Sequence, residues 1–195
     1  SSFKADGVFG SDDHLFAKAV FFYDDVKDFI APKAWLEPTT PPTLYYSSQN
    51  VGHVVRKGIE LSGTYAAGQF STSVSYGLLH AVDKETNERM NGITPQSANL
   101  KLAYAFPAQA INVWYRAHWS KGGESSVEDR ATGKKLHFSS FLTHSLGAEW
   151  SPKVADLANL QAGIAVVNLF DKEYRMLNGS YGSGRGVRLW LSAQF

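Results

Sequence analysis

Apolar and polar residues alternate with a period of two along most of this chain, most clearly at its end. Val187, Leu189, Leu191, Ala193 and Phe195 fall on one face of the closing stretch, and Arg188, Trp190, Ser192 and Gln194 on the other. Leu160, Ala162, Ile164 and Val166 alternate with Gln161, Gly163, Ala165 and Val167. Ile111, Val113, Tyr115, Ala117 and Trp119 alternate with Asn112, Trp114, Arg116, His118 and Ser120, and Leu100, Leu102, Tyr104 and Phe106 share a face. This spacing predicts half-buried β-strands, not helices.

Nine strands are expected. They run Phe3–Phe9, His14–Ile30, Thr43–Ala66 with a kink near Gly52, Gln69–Val82, Ser97–Phe106, Ile111–Ser120 and Leu136–Trp150, with two more beginning at Leu160 and Val187. Between the second and third, Pro32, Pro38, Pro41 and Pro42 predict a loop without strand pairing. Asp83–Pro95 reads as a charged loop, Lys121–Lys135 as a polar one and Asn178–Gly186 as a glycine-rich one. The connections alternate in length. Gly10–Asp13, Ala67–Gly68, Pro107–Gln109 and Ser151–Asn159 are expected at one end and the longer loops at the other.

Short turns at one end and long loops at the other are the pattern of outer-membrane barrels. The expected fold is therefore all-β, an antiparallel transmembrane β-barrel. Leu100, Leu102, Tyr104, Ile111, Val113, Tyr115, Val187, Leu189 and Leu191 should face lipid. Lys101, Asn112, Arg116, Arg188 and Gln194 should face the lumen. Tyr23, Tyr65, Tyr76, Tyr104, Phe106, Trp119 and Trp150 lie near strand ends, where interfacial girdles sit. The terminal Phe195 fits the same reading, because a soluble sheet ending on a bare apolar edge invites pairing with other chains. A soluble antiparallel sandwich is the competing architecture.

Composition narrows the function. Lys plus Arg is 19 and Asp plus Glu 18, a net charge of +1, which argues against a globally basic nucleic-acid binder. Aromatic residues make up 13% of the chain, in keeping with strand-rich structure. Cysteine is absent, so disulfides and thiol chemistry play no part. No apolar run is long enough for a transmembrane helix. No signal peptide opens the chain, and Ser1-Ser2-Phe3-Lys4 reads as the middle of a strand, so residues upstream of Ser1 are expected.

Four segments resemble the C-terminal part of TonB-dependent outer-membrane receptors. Val167-Asn168-Leu169-Phe170-Asp171-Lys172-Glu173-Tyr174 is similar to the family's penultimate-strand signature. Asn50-Val51-Gly52 followed by Lys57-Gly58-Ile59-Glu60-Leu61 resembles its "NVG…GxEL" strand, and Phe21–Ile30 the strand before it. Arg185-Gly186-Val187-Arg188-Leu189 onward resembles the closing strand. The resemblance implies that residues 1–195 are an open C-terminal fragment of a plugged barrel of about 22 strands. The plug and the segment that contacts TonB would lie upstream. The implied partners are outer-membrane lipid, the TonB complex through that plug, and haem or a ferric chelate, with a haem-carrying protein at the extracellular loops.

The loop Asp83–Pro95 is similar to the "…T-G-x-x-L-x-x-I-x-P" loop of haem and haemoglobin receptors. Tyr181-Gly182-Ser183-Gly184-Arg185 lacks the proline more frequent in ferric-siderophore receptors. The resemblance thus implies import of iron as haem or from a haem protein. A ferric-siderophore receptor or a passive porin-like channel are the alternatives.

Haem iron accepts His or Tyr as axial ligand. His14 falls at a predicted short turn and His53 mid-strand, while His80, His118, His137 and His144 fall on or near the extracellular halves of strands. His80 and Tyr181, nearest the loops, are the candidate ligand-binding residues. Arg116 with His118, and Arg56 with Glu60, fall on lumen faces, where a polar wall accounts for them. The run Gly182-Ser183-Gly184-Arg185-Gly186 lacks the Lys-Ser/Thr pair and the following helix of a phosphate loop. No catalytic triad, carboxylate pair or metal-ligand spacing stands out, and no resident cofactor is implied.

Overall fold

The structure is a computed structural model. It describes the chain except residues 9, 11, 51, 154–158 and 195, and gives the backbone alone at 31–34, 49, 126 and 159. Thirteen strands are seen among the described residues. They are β1 Ser2–Asp6, β2 Asp13–Lys27, β3 Ile30–Glu37, β4 Thr43–Asn50, β5 His53–Ala67, β6 Phe70–Asp83 and β7 Gln96–Phe106, then β8 Ile111–Ser120, β9 Gly123–Asp129, β10 Lys134–Phe138, β11 Phe141–Trp150, β12 Asn159–Val167 and β13 Gly186–Gln194. Nine of them form one antiparallel sheet in the order β1-β2-β5-β6-β7-β8-β11-β12-β13. The other four form a smaller sheet, β10-β9-β3-β4, in which β3 and β9 run parallel. Within the described residues β1 and β13 are the two open edges of the large sheet.

The short connections share one end, as their lengths predict. Ala67 pairs with Phe70 across Gly68-Gln69, and Pro107–Gln109 form a single 3-10 turn. Asp13 pairs with Ala67, the Ala105 N–H bonds to Gln69 O, and the Ser151 N–H bonds to Ala110 O. These bonds tie the four turns side by side, although residues 154–158 of the last one lie outside the described residues.

Cross-strand register assigns the faces, because directly paired residues point the same way. One row runs Phe70–Tyr104–Val113–Ala148–Ile164–Leu189, and the next Thr72–Leu102–Tyr115–Leu146–Val166–Val187. All nine residues expected to face lipid lie in this outer set, and Leu189 and Leu191 are 75% and 74% exposed. The inner rows carry Lys101 opposite Arg116, Asn112 opposite Glu149, and Arg188 opposite Ala165. On that polar face sits one packed cluster, where Trp114 (5% exposed) meets Ala103, Ala165 and Trp190. Glycines make room for the two indoles. A Cβ at Gly147 would run into the Trp114 ring, and one at Gly163 into the Trp190 ring.

Four expectations are corrected in the connections at the long-loop end. The proline-rich stretch is not unpaired: β3 pairs with β4 from Ile30↔Asn50 to Glu37↔Thr43. Pro32 is tolerated because β9 joins β3 only at Ala34, Trp35 and Leu36, so the flank beside Pro32 needs no ladder donor. Pro38, Pro41 and Pro42 fall in the turn between the strands. The single strand Thr43–Ala66 is instead two strands in two sheets. Gly52, at φ +44, turns the chain between them, and its N–H donates to Asn50 Oδ1 at 2.9 Å. The loop Lys121–Lys135 is not irregular, since it holds β9 and the start of β10, paired as a hairpin. Leu136–Trp150 breaks after Phe138, and only β11 belongs to the large sheet. The first strand also ends early, at Asp6, with Gly7 at φ +66 starting the turn. The second ends at Lys27, with Asp28 left-handed. The expectations for Phe9 and Phe195 lie outside the described residues.

Candidate functional site

The smaller sheet and two further loops converge at the long-loop end. Ser125 is fully buried: its hydroxyl donates to Leu177 O at 2.6 Å and accepts the Val127 N–H at 3.0 Å. That ties the β9–β10 hairpin to the loop between β12 and β13. Gly179, at φ +89, lies so close to Val127 that a Cβ would be 2.7 Å from its methyl group and 3.8 Å from one on Leu44. The Gly92 N–H bonds to Glu124 O and the Lys84 N–H to His53 O. All four long connections are thereby joined into one cap.

The loop leaving β12 shows how its sequence sets its shape. Asn168 (φ +49) is buried, and its side chain donates to Lys172 O at 2.9 Å and Ser183 O at 3.0 Å while accepting the Lys172 N–H at 2.9 Å. Asp171 Oδ1 accepts the Arg185 N–H at 2.7 Å. Two short polar side chains thus fasten the start of the loop to its end. Tyr174 follows, and its ring lies over Gly182, where any side chain would collide with it.

Between this loop and the β10–β11 junction opens a cavity of about 730 Å³. Its walls are aromatic and charged. Tyr174 stacks on Phe141 with ring centroids 4.1 Å apart and planes 27° apart. The Arg175 guanidinium lies 3.9 Å from the Tyr181 ring centroid and 5.7 Å from that of Phe138. Lys172 adds a second cation to the rim, and His137, Asp171 and Glu173 lie beside it. Such walls can stack on a flat conjugated ligand and pair with its anionic substituents. Among the described residues no group of three or more His, Asp or Glu is placed to hold a metal ion.

Of the candidate residues, Tyr181 lines this cavity and is 73% exposed. His80 does not join it. It pairs with Lys57 in the outer set of the large sheet, on the face of Leu78, Tyr76 and Val74. His144 is on the outer face too, bonded through Nδ1 to the Tyr115 hydroxyl at 2.5 Å. His118 lies on the inner face, with Nδ1 2.7 Å from Asn99 Oδ1. Arg175, Tyr174, Phe141 and Phe138 escaped the sequence reading. The only sequence signal was that Tyr174-Arg175 follows directly on the Asn168–Asp171 turn, whose path back across Tyr174 no periodicity reveals.

A family model described as "TonB dependent receptor-like, beta-barrel" matches residues 2–169. The chain is 24% identical over 188 residues to Heme/hemopexin utilization protein C of Haemophilus influenzae (strain 86-028NP), covering 94% of this chain and 26% of that protein. It is 23% identical over 215 residues to TonB-dependent heme receptor A of Haemophilus ducreyi, covering 97% and 29%. Among solved structures the FrpB iron transporter of Neisseria meningitidis superposes with a TM-score of 0.64 at 20% identity, over 96% of this chain and 28% of that one. The chain therefore spans a little over a quarter of the length of these relatives.

Proposed function

Because the chain belongs to the TonB-dependent receptor-like β-barrel family, we propose that it is the C-terminal wall and mouth of an outer-membrane receptor importing iron as haem or from a haem protein. The observation that carries this is the cavity in the cap, where the exposed Tyr181 ring and the Arg175 guanidinium offer a ring face and a cation to a flat anionic ligand, and the Tyr174–Phe141 stack forms part of the wall. The names of the relatives from Haemophilus support haem as the cargo. The open edges β1 and β13 would be completed by further strands, since an unpaired edge in lipid costs several kcal/mol per unsatisfied group. Energy would come from the TonB complex through a plug outside these residues.

In this reading the cap loops capture the ligand before it enters the lumen. Arg175, half-buried against Tyr181, neutralises a ligand carboxylate at a fixed point. Tyr181 offers either its phenol oxygen to the iron or its ring to the macrocycle. His80, on the outer face, takes no part. Haem titration of the full-length receptor, followed by absorption, tests this. Arg175→Ala should weaken haem binding about ten-fold or more. Tyr181→Phe should change the haem spectrum if the phenol ligates, and leave it unchanged if the ring only stacks, whereas Tyr181→Ala should weaken binding in both cases. Wild-type haem affinity in both Arg175→Ala and Tyr181→Ala would overturn the site.

A further inference from the structure

On the inner face, below the cap, Lys101 of β7 and Arg116 of β8 are directly paired across the sheet. Like charges facing each other in this way are destabilising by themselves. Among the described residues neither makes a salt bridge with a carboxylate; the four ion pairs found are His14–Asp6, His53–Asp25, Arg56–Asp24 and Arg130–Glu37. The exposed Arg116 side chain rests with its guanidinium 4.6 Å from the Trp114 ring centroid, and that indole is wedged among Ala103, Ala165 and Trp190, so the contact favours one position for the cation. Glu149, on the same face, pairs with Asn112, four residues along the strand from Arg116; it lines a neighbouring hollow with Arg116 and Arg188, and among the described residues it makes an ion pair with neither. Over the Lys101–Arg116 pair lies a hollow of about 520 Å³, whose polar lining includes Ser73, Ser75, Asn99, His118, Thr143 and Ser145. Apart from the Asn99–Ser75 and His118–Asn99 bonds, this lining is a field of hydroxyl and amide donors around two cations.

We propose that Lys101 and Arg116 form a carboxylate-binding site on the lumen wall. Arg116 presents a guanidinium edge stacked on Trp114, Lys101 a movable ammonium, and the serine and threonine hydroxyls donate to the remaining lone pairs. The carboxylate has two sources, an Asp or Glu of the polypeptide that fills the lumen or a carboxylate of the cargo on its way through. The site rests on the reading of this face as lumen, and it is distinct from the cap cavity.

Two arms on the full-length receptor separate the sources. In the first, cargo-free receptor is treated with a water-soluble carbodiimide, which joins an ammonium to a carboxylate in contact with it as an amide and releases the activating group as a urea. Peptide mapping then finds what Lys101 has joined. In the second, protoporphyrin and its dimethyl ester are titrated against wild type and against the Lys101→Gln/Arg116→Gln double variant. A crosslink from Lys101 to an Asp or Glu outside residues 1–195 supports the site with a polypeptide source. A preference for the acid over the ester that falls roughly ten- to hundred-fold in the double variant, and returns in Lys101→Arg/Arg116→Lys, supports it with a cargo source. Absence of both effects overturns the proposal, as does a crosslink to Glu149 or Glu60 alone. The crosslinking arm needs no cargo, so it reads out even if haem is not what the receptor carries.

Discussion

Leu146→Arg is a direct test of the two faces. Leu146 pairs with Tyr115 on one side and Val166 on the other, in the middle of the five outer rows that β8 marks as Ile111, Val113, Tyr115, Ala117 and Trp119. Eight residue steps at about 3.3 Å give roughly 26 Å of strand. A tilt of about 40° reduces this to about 20 Å of membrane depth, most of the apolar band of such barrels. Leu146 is then about 10 Å from either margin, where an arginine on the lipid face costs about 2–4 kcal/mol instead of the ~0–1 found near the interface. Its neighbour Ser145 lies at the same depth on the inner face, paired with Arg116. Ser145→Arg meets water, Arg116 directly opposite and Lys101 one strand further on, and the directly opposed pair costs about 0.2–1 kcal/mol. Guanidinium unfolding of the full-length receptor in lipid vesicles, followed by tryptophan fluorescence, measures both. Equal costs for the two variants, or a larger cost for Ser145→Arg, would refute the assignment of faces.

Other substitutions probe the packing. Gly163→Ala places a methyl group in the Trp190 ring, and overpacking of this kind should cost about 1–3 kcal/mol in the same unfolding assay. Ser125→Ala removes the buried bond to Leu177 O and leaves the Val127 N–H without its acceptor, so a cost of about 1–3 kcal/mol is expected. The cost should appear locally, as faster amide exchange in the loop between β12 and β13, with β7 and β8 unchanged. Asn168→Ala removes three bonds that close the same loop, and should lower haem affinity without changing the unfolding of the large sheet.

The sequence by itself determined the large sheet. Alternation along Ile111–Ser120 gave its bounds and both faces correctly, because a strand's side chains must alternate and one face meets lipid while the other meets water. Turn lengths determined which connections share an end, because a two-residue link such as Gly68-Gln69 leaves adjacent strands no geometry but antiparallel. What only the tertiary structure decided lies in the cap. The stretch after Ile30, as far as Glu37, carries Pro32 and reads as loop, yet it belongs to a strand because β4 and β9, from opposite sides, pair with it. Contacts between segments more than 90 residues apart, such as Arg130 Nη1 to Glu37 Oε1 at 2.6 Å, leave no trace in a local pattern. The cavity is hidden for the same reason: Phe138 and Phe141 come from the β10–β11 junction and Tyr174 and Tyr181 from the loop between β12 and β13, and only the folded path of each brings their rings together. His80 shows the converse. Position near a loop nominated it, but β6 register turns its side to the outer face, and in a strand one step of register decides whether a residue meets lipid or lumen.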